Sequence, residues 1–152
     1  MSDNTFIKVT DLKKHYNGGE VKALDGVNCE INKGEVVVII GPSGSGKSTF
    51  LRSLNLLEIP TNGEIIFNGT DITAPKTNIN KHRQKMGMVF QHFNLFPNMT
   101  VLKNMTCAPI TILKKSKEDS EKKALELLDR VGLKDRADAY PSQLSGGQKQ
   151  RV

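Results

Sequence analysis

Residues 36–48 read Val-Val-Val-Ile-Ile-Gly-Pro-Ser-Gly-Ser-Gly-Lys-Ser, and this stretch decides the fold. Its first five residues form a continuous β-branched run, which is typical of a strand buried on both faces of a parallel sheet. Gly41 ends the run. From Lys47 to about Leu57 the spacing of the apolar residues predicts a helix, which stops before Pro60. A strand, a glycine-rich turn and a helix in this order predict an α/β fold.

The glycine-rich turn has the spacing of a phosphate-binding loop, Gly-x-x-x-x-Gly-Lys-Ser, at residues 41–48. Glycines let the backbone curl so that successive N–H groups point at phosphate oxygens, and the N-terminus of the following helix adds a partial positive charge. Lys47 would bring a full charge to the β- and γ-phosphates, and the Ser48 hydroxyl is placed to ligate Mg²⁺. The motif therefore predicts a nucleotide site.

The predicted secondary structure changes near Gln91 from mostly strands to mostly helices. Before it, the sequence predicts strands at residues 6–9, 21–31 and 64–67 and a second core strand at 86–90. After it, Pro97 and Pro109 bracket a short helix at 101–106, and a longer helix covers 116–131. We expect a nucleotide-binding core over residues 1–91 and a helical subdomain over residues 92–152.

The longer helix has a recognisable start and an apolar face. Ser116 and Asp119 form a capping-box pattern at its N-terminus. The residues expected on its buried face are Ala124, Leu127, Leu128 and Val131.

Composition excludes several classes of protein. The 152 residues suit one domain, or one core with a small lobe, and the longest aliphatic run, residues 36–40, is far too short for a membrane span. The N-terminus lacks the pattern of a secretion signal, and Cys29 and Cys107 are expected to be buried, reduced thiols of a cytosolic protein. The net charge of +6 could indicate nucleic acid, but its basic residues are scattered, so we favour a solvated basic face with a phosphate site and no nucleic acid.

A second glycine-rich segment, Leu-Ser-Gly-Gly-Gln at residues 144–148, is called the signature segment below. Ser145 and the first N–H groups of a helix starting there would form a second anion-binding nest. Together with the phosphate loop about 100 residues earlier, this segment resembles the nucleotide-binding subunit of an ATP-binding-cassette (ABC) transporter. The resemblance implies a RecA-like P-loop NTPase core with an antiparallel β subdomain and a helical subdomain. It also implies ATP and Mg²⁺ as cofactors and a dimer in which each ATP lies between two copies.

The resemblance assigns roles to single residues. Tyr16 is similar to the aromatic residue that stacks on adenine, although a tyrosine at a strand edge can also pack on the surface. Gln91 is similar to the glutamine that contacts Mg²⁺ and the attacking water, which makes Gln91 and Lys47 the catalytic candidates and Ser48 and Gln91 the metal ligands. The other nucleotide contacts implied are Gly41, Ser43, Gly44, Gly46, Lys47, Ser48, Thr49, Ser145, Gly146, Gly147 and Gln148.

Residues 87–97 and 99–104 are similar to the branch of the family that imports polar amino acids such as glutamine. His82 and Cys107 depart from that pattern. The implied partners are a transmembrane permease that docks near residues 91–104 and, indirectly, a solute-binding protein, at the cytoplasmic face of the membrane. The apolar residues of this segment would either pack the helical lobe or line a groove for a helix of the permease: Phe93, Leu95, Phe96 and Met99.

Three parts of the family's catalytic machinery have no match in this sequence. The family places an Asp after an apolar strand, then a catalytic Glu and a later His, all beyond the signature segment, whereas His15, His82 and His92 all precede it. We therefore expect a C-terminally truncated domain of about the first three-fifths of a subunit, soluble by itself, with impaired turnover. Unpaired strand edges predict that it associates or is partly disordered.

Two other functions share the same motifs. One is an ABC ATPase of DNA repair or chromosome structure, although the long coiled-coil or zinc insertions usual there are not visible. The other is a nucleotide-binding module without catalysis.

Overall fold

The computed structural model describes residues 4–91 and 94–152. His92 and Phe93, the latter one of the apolar residues considered above, lie outside the described residues. The chain divides into two compact units, Met1–Met88 and Val89–Val152. The helices and strands are β1 (Thr5–Tyr16), β2 (Val21–Asn32), α1 (Lys47–Ser53), β3 (Asn62–Phe67), β4 (Thr70–Asp71), α2 (Ile79–Arg83), α3 (Val101–Thr111), α4 (Lys117–Arg130) and α5 (Gly146–Arg151).

The first unit is built on an antiparallel sheet with the strand order β2-β1-β3-β4. Val9 on the central strand β1 pairs with Cys29 on β2 and with Ile65 on β3. The predicted strands at 6–9, 21–31 and 64–67 are therefore confirmed, and β1 runs seven residues further than its apolar pattern indicated, to Tyr16. The added residues, 10–16, are mostly polar, which a strand with one solvated face accommodates, and only Leu12 among them joins the core.

One face of this sheet carries the core of the first unit. Seven buried side chains form it, and α1 contributes Phe50 from outside the sheet: Val9, Leu12, Leu24, Phe50, Ile65, Phe67 and Ile72. The Phe67 ring contacts the rings of Phe6 and His82 edge-on, with 5.0 Å and 6.1 Å between the ring centroids. His82, which departs from the amino-acid importer pattern, thus packs its ring against the apolar core as a hydrophobic residue would.

A glycine allows β3 to approach β1 closely. Gly63 has φ +100°, and a Cβ there would lie 2.5 Å from the Asp11 carbonyl oxygen. Asp11 itself has φ +47° at a register shift of β1. Only a residue without a side chain fits between the two backbones.

The prediction of a buried strand at residues 36–40 is wrong in this structure. The segment forms no strand, and its side chains range from 36% exposed at Ile39 to 90% at Val36. A parallel strand needs a neighbour to take up its N–H and C=O groups, and no strand of the described residues pairs with this segment. The predicted strand at 86–90 is wrong for the same reason, and Val89 is largely exposed.

Helix α1 is shorter than predicted, because the chain turns after Ser53. The Leu56 N–H donates to the Ser53 carbonyl at 3.0 Å, and Leu56 has φ +54°. Arg83 from α2 donates to the carbonyls of Asn55 (3.0 Å) and Leu56 (2.9 Å). These bonds to a guanidinium stabilise a backbone conformation that is unfavourable for a branched side chain.

The second unit is helical. The Thr100 hydroxyl caps α3 by accepting from the Lys103 N–H, and α3 continues through Pro109 to Thr111. The predicted helix ended at 106, before the proline. Pro109 donates no N–H to the carbonyl four residues earlier, so the helix continues past it with one backbone bond fewer. The Ile112 N–H closes the last turn by donating to the Ala108 carbonyl at 2.9 Å.

Helix α4 confirms its prediction at both ends. The Ser116 Oγ accepts from the Asp119 N–H at 3.0 Å, and Val131 is the C-cap. Ala124 and Leu128 are buried as predicted, but Leu127 is 37% exposed. The core of this unit consists of Val101, Leu128, Leu133, Ala137 and Leu144.

Within residues 4–91 and 94–152, no helix combines the length and the apolar character that a bilayer span requires.

Candidate nucleotide-binding site

The phosphate loop, residues 41–48, leads directly into α1. Gly46 is the N-cap of that helix and has φ +86°. A Cβ at Gly46 would lie 2.3 Å from the Ala23 carbonyl oxygen of β2, so this glycine lets the loop lie against the sheet. The Phe50 N–H donates to the Gly46 carbonyl at 2.8 Å and so forms the first backbone bond of the helix.

The Lys47 ammonium folds back over the loop. It donates to the carbonyl oxygens of Gly41 (2.8 Å) and Pro42 (2.7 Å) and lies 3.4 Å from the Ser45 Oγ. Two of its three donors therefore close the loop into a ring. The weak third contact marks the position at which a phosphate oxygen could replace the serine.

The other predicted loop residues surround this ring. Gly44 has φ +81° with open space where a Cβ would lie, and the Ser45 N–H donates to the Pro42 carbonyl at 3.3 Å. The first N–H groups of a helix have no partner within it, which leaves those of α1 directed at the loop. Their accessibility differs: Ser43, Gly44 and Ser48 are exposed, and Gly46, Lys47 and Thr49 are half-buried. Backbone donors around one lysine suit an anion of phosphate size.

A cavity of about 520 Å³ lies between β2 and the segment that leads into the loop. Its wall is mostly apolar and includes Leu24, Val27, Ile39 and Phe50. Burial raises the pKa of the Cys29 thiol, which also lines it, and keeps that thiol neutral. Gly41, Ser45, Gly46 and Lys47 of the phosphate loop line the same cavity.

Tyr16 is the last residue of β1 and is half-buried. The Lys14 ammonium lies over its ring, 4.9 Å from the centroid, and also 2.8 Å from the Glu58 carboxylate. Lys14 and Glu58 were missed by the sequence analysis. They carry no motif, and Glu58 follows α1 in a turn far along the chain.

The signature segment caps α5. The Ser145 Oγ accepts from the Gln148 N–H at 3.3 Å, and the Gln148 side chain accepts from the Ser145 N–H at 2.8 Å. This reciprocal capping box fixes the helix start and uses the Gln148 side chain locally. Ser145, Gly146 and Gly147 are exposed, so their surface is open to a ligand.

The two predicted magnesium ligands lie in different units, Ser48 in the first and Gln91 in the second, where it is exposed. A hydroxyl and an amide oxygen are hard ligands of the type that Mg²⁺ accepts, so their chemistry fits the ion. Among the described residues, no group of three or more His, Cys, Asp and Glu side chains is arranged to hold a metal. Phosphate oxygens and water would therefore supply most of the ion's coordination.

Known proteins match the chain over nearly its whole length. The glutamine transport ATP-binding protein GlnQ of Bacillus subtilis is 54% identical over 146 residues, which cover 96% of this chain and 60% of that protein. The arginine transport ATP-binding protein ArtM of the same organism is 55% identical with the same coverage. This chain thus spans about 60% of the length of these relatives.

A solved structure agrees with the fold. The dimeric, post-hydrolysis ATP-binding cassette MJ0796 bound to ADP and Pi is 40% identical and superimposes with a TM-score of 0.86, covering 96% of this chain and 66% of that one. The family model for the ABC transporter matches residues 24–152. Because that match covers most of the sequence, the chain belongs to the ABC transporter family.

Proposed function

We propose that this chain is the nucleotide-binding part of an ATPase subunit that drives the import of polar amino acids. The single observation that carries the proposal is the phosphate loop closed by Lys47, whose third donor makes only a long contact of 3.4 Å with the Ser45 hydroxyl. Relatives named for glutamine and arginine transport support the class of solute.

The proposed nucleotide site is formed by the phosphate loop, the start of α1 and the end of β1. The loop N–H groups and Lys47 hold the β- and γ-phosphates, Ser48 and Thr49 lie at the helix start beside them, and Tyr16 stacks on adenine. Mg²⁺, when bound, neutralises phosphate charge and polarises the γ-phosphate. Ser48 and Gln91 would hold it.

A second copy of the chain would complete each site. In this proposal Ser145, Gly146 and Gly147 of one copy present helix N–H groups to the γ-phosphate held by the other copy, and Gln148 keeps that helix start in place. Gln91 would position the attacking water. The nucleotide-binding core would cover residues 1–91, and the helical subdomain residues 92–152.

The segment from 91 to 104 is the proposed contact with the transmembrane permease. Asn104 holds part of it in shape: its Oδ1 accepts from the Phe96 N–H, and its NH2 group shares two hydrogens among the carbonyls of Phe96, Met99 and Thr100. The Phe96 side chain is 54% exposed, which an apolar contact with a partner would explain. The chain would then act peripherally at the cytoplasmic face, and the solute-binding protein would act through the permease.

Turnover by residues 1–152 alone is proposed to be slow. The sequence between the signature segment and Val152 holds no Asp, Glu or His to position Mg²⁺ or to activate water. Phosphate release with saturating ATP and Mg²⁺ tests this, and turnover at the rate of a complete ABC ATPase would contradict it.

Calorimetric titration with Mg²⁺-ATP tests the binding site. The parent chain should bind ATP, and Lys47→Ala should lose most of that affinity. Lys33→Ala, which removes a positive charge from the turn before the loop, is the control and should bind as the parent does. If the parent chain does not bind ATP, the proposed function is wrong.

A further inference from the structure

Three side chains from two segments of the chain meet around the Tyr16 ring. Lys14 and Tyr16 lie on β1, two residues apart, and Glu58 lies in the turn between α1 and β3. The Lys14 ammonium bonds to the Glu58 carboxylate at 2.8 Å and donates to the Ile59 carbonyl at 2.7 Å. The same ammonium lies over the Tyr16 ring, 4.9 Å from its centroid.

The turn that carries Glu58 is itself attached to the end of β1. The Thr61 N–H donates to the Lys13 carbonyl at 2.7 Å, and the Thr61 hydroxyl accepts from the His15 N–H at 2.9 Å. The Glu58 N–H donates to the Arg52 carbonyl at 3.1 Å, which connects the turn to α1. The position of the Glu58 carboxylate is therefore set by backbone bonds on both sides.

Glu58 keeps the Lys14 ammonium over the Tyr16 ring. Hydrogen bonding to Lys14 lowers the pKa of the Glu58 carboxyl, against the opposing effect of burial. Glu58 therefore stays ionised and holds the ammonium at 2.8 Å. That ammonium in turn covers one face of the Tyr16 ring.

This ion pair differs from the others by its burial. The Lys14 and Glu58 side chains are 16% and 25% exposed, the least exposed pair among the ion pairs of the described residues. Lys8 and Glu30 have the same 2.8 Å separation on the same sheet but are 35% and 52% exposed. Desolvation offsets much of the attraction in a partly buried pair, so this pair is weak evidence for stability.

We propose that Lys14 is a positioning residue for nucleotide binding: with Glu58 it fixes the Tyr16 ring so that the face opposite the ammonium receives the adenine. The inference rests on the proposed function, in which Tyr16 stacks on the base. A ring that is already held in place loses little conformational freedom when the base stacks on it. The cation contributes its own attraction to the ring from the other side.

Comparing the affinities for ATP and for inorganic tripolyphosphate tests this role, because tripolyphosphate can bind the phosphate loop but has no base to stack on Tyr16. Both ligands are titrated, with Mg²⁺, into the parent, Lys14→Met, Lys14→Arg, Glu58→Gln and Tyr16→Ala. Lys8→Met is the matched control, since it breaks the equivalent exposed pair. Circular dichroism of each variant verifies that it is folded.

We expect Lys14→Met and Glu58→Gln to weaken ATP binding by about threefold to tenfold and to leave tripolyphosphate binding within about twofold. Lys14→Arg should restore most of the affinity, because a guanidinium can both stack on the ring and pair with Glu58. Lys8→Met should change the affinity for neither ligand. If Lys14→Met does not fold, Glu58→Gln, which keeps the shape of the side chain, carries the same comparison.

The remaining outcomes separate this inference from the function on which it rests. If Tyr16→Ala weakens ATP but Lys14→Met and Glu58→Gln do not, the positioning role is wrong and the proposed function stands. If these two variants weaken both ligands equally, Lys14 is purely structural. If Tyr16→Ala binds ATP as the parent does, the adenine role of Tyr16 and the positioning role are both wrong. If the parent binds neither ligand, the proposed function also fails.

Discussion

At the scale of single residues, the phosphate loop depends on the charge of Lys47 and on the absence of a side chain at Gly46. Lys47 uses two donors to close the loop on its own carbonyls, so its charge is already in place before a ligand arrives. Gly46 permits the loop to touch β2. The two residues act differently, one on the ligand and one on the backbone, and their substitutions should separate binding from stability.

Replacement of Lys47 by alanine should weaken Mg²⁺-ATP binding by roughly tenfold to a hundredfold, since a hydrogen bond to a charged group contributes about 1.5–3 kcal/mol. The variant also frees the carbonyls of Gly41 and Pro42, which water can hydrate because both residues are exposed. Titration calorimetry measures the affinity. An unchanged dissociation constant would mean that the phosphates lie elsewhere.

Gly46→Ala should destabilise the first unit by about 2–4 kcal/mol, because the new Cβ would overlap the Ala23 carbonyl in a left-handed backbone conformation. Gly44→Ala is the matched control: its φ is +81°, near the +86° of Gly46, but nothing lies within 4 Å of the new Cβ. We expect Gly44→Ala to lower the free energy of unfolding, measured in urea, by about 1 kcal/mol. Equal losses in the two variants would show that the contact with β2 contributes nothing.

At the scale of elements, the turn after α1 is held by a residue from another helix. Arg83 on α2 bonds to two successive carbonyls, one of them from Leu56 with its positive φ. The same turn leads to Glu58 and so to Tyr16. Helix α2 therefore contributes to the shape of the adenine side of the proposed site without contacting it.

Arg83→Met should lower the free energy of unfolding of the chain by about 1.5–3 kcal/mol, because two part-buried bonds to a charged donor are lost while the apolar stem is kept. Lys81→Met, an exposed position on the same helix, is the control and should change stability by less than about 0.5 kcal/mol. Urea unfolding followed by circular dichroism measures both. Similar values for the two variants would contradict the role of Arg83.

At the scale of the whole molecule, ionised carboxylates set the acid limit of stability. Lys8 lowers the pKa of Glu30, Lys14 that of Glu58 and His15 that of Asp25. A carboxyl with a lower pKa in the folded than in the unfolded state stabilises the fold above its unfolded value and loses that contribution as the pH falls through the folded value. Their ordinary values are 3.8 for Asp25 and 4.5 for the two Glu residues.

Stability should therefore stay level between about pH 5 and pH 8 and fall steadily as the pH drops below about 4.5. Urea midpoints at pH 6, 4 and 3 measure the decline, and Glu58→Gln should make it shallower because one of the contributing groups no longer titrates. A midpoint that rises on acidification would contradict the sign of these pKa shifts.

The exposed aliphatic run at 36–40 should make the chain self-associate. Val36, Val38 and Ile40 are the most exposed of its side chains, and an unpaired β-branched segment is prone to pair with another copy. Sedimentation velocity over a range of concentrations should show association in the parent chain and less in Val38→Lys. Val21→Lys, at an exposed position on β2, is the control and should behave as the parent does. A concentration-independent monomer would contradict this expectation.

The predictions from sequence succeeded where the signal is local. The strands of the first unit, the loop at 41–48 and the cap of α4 each follow from residues within one or two turns of the chain. The predictions failed at 36–40, where the pattern is typical of a buried strand but burial depends on a neighbour, and at residues 107–111, where α3 continues through a proline that was expected to end it. The motif predicted where the phosphate loop lies and where its helix begins, whereas nothing in the sequence predicted the contact of Lys14 with Glu58.

The sequence by itself determined the α/β class, the phosphate loop, the helix starts at Ser116 and Ser145 and the family. These depend on backbone conformations and caps that a few adjacent residues dictate. Only the tertiary structure decided the strand order, the hydrogen bonds from Arg83 to the turn after α1, and the contacts among Lys14, Glu58 and Tyr16. Lys14 and the Ile59 carbonyl it bonds are 45 positions apart, and no local preference encodes such a contact. It exists because the folded sheet brings the two segments together.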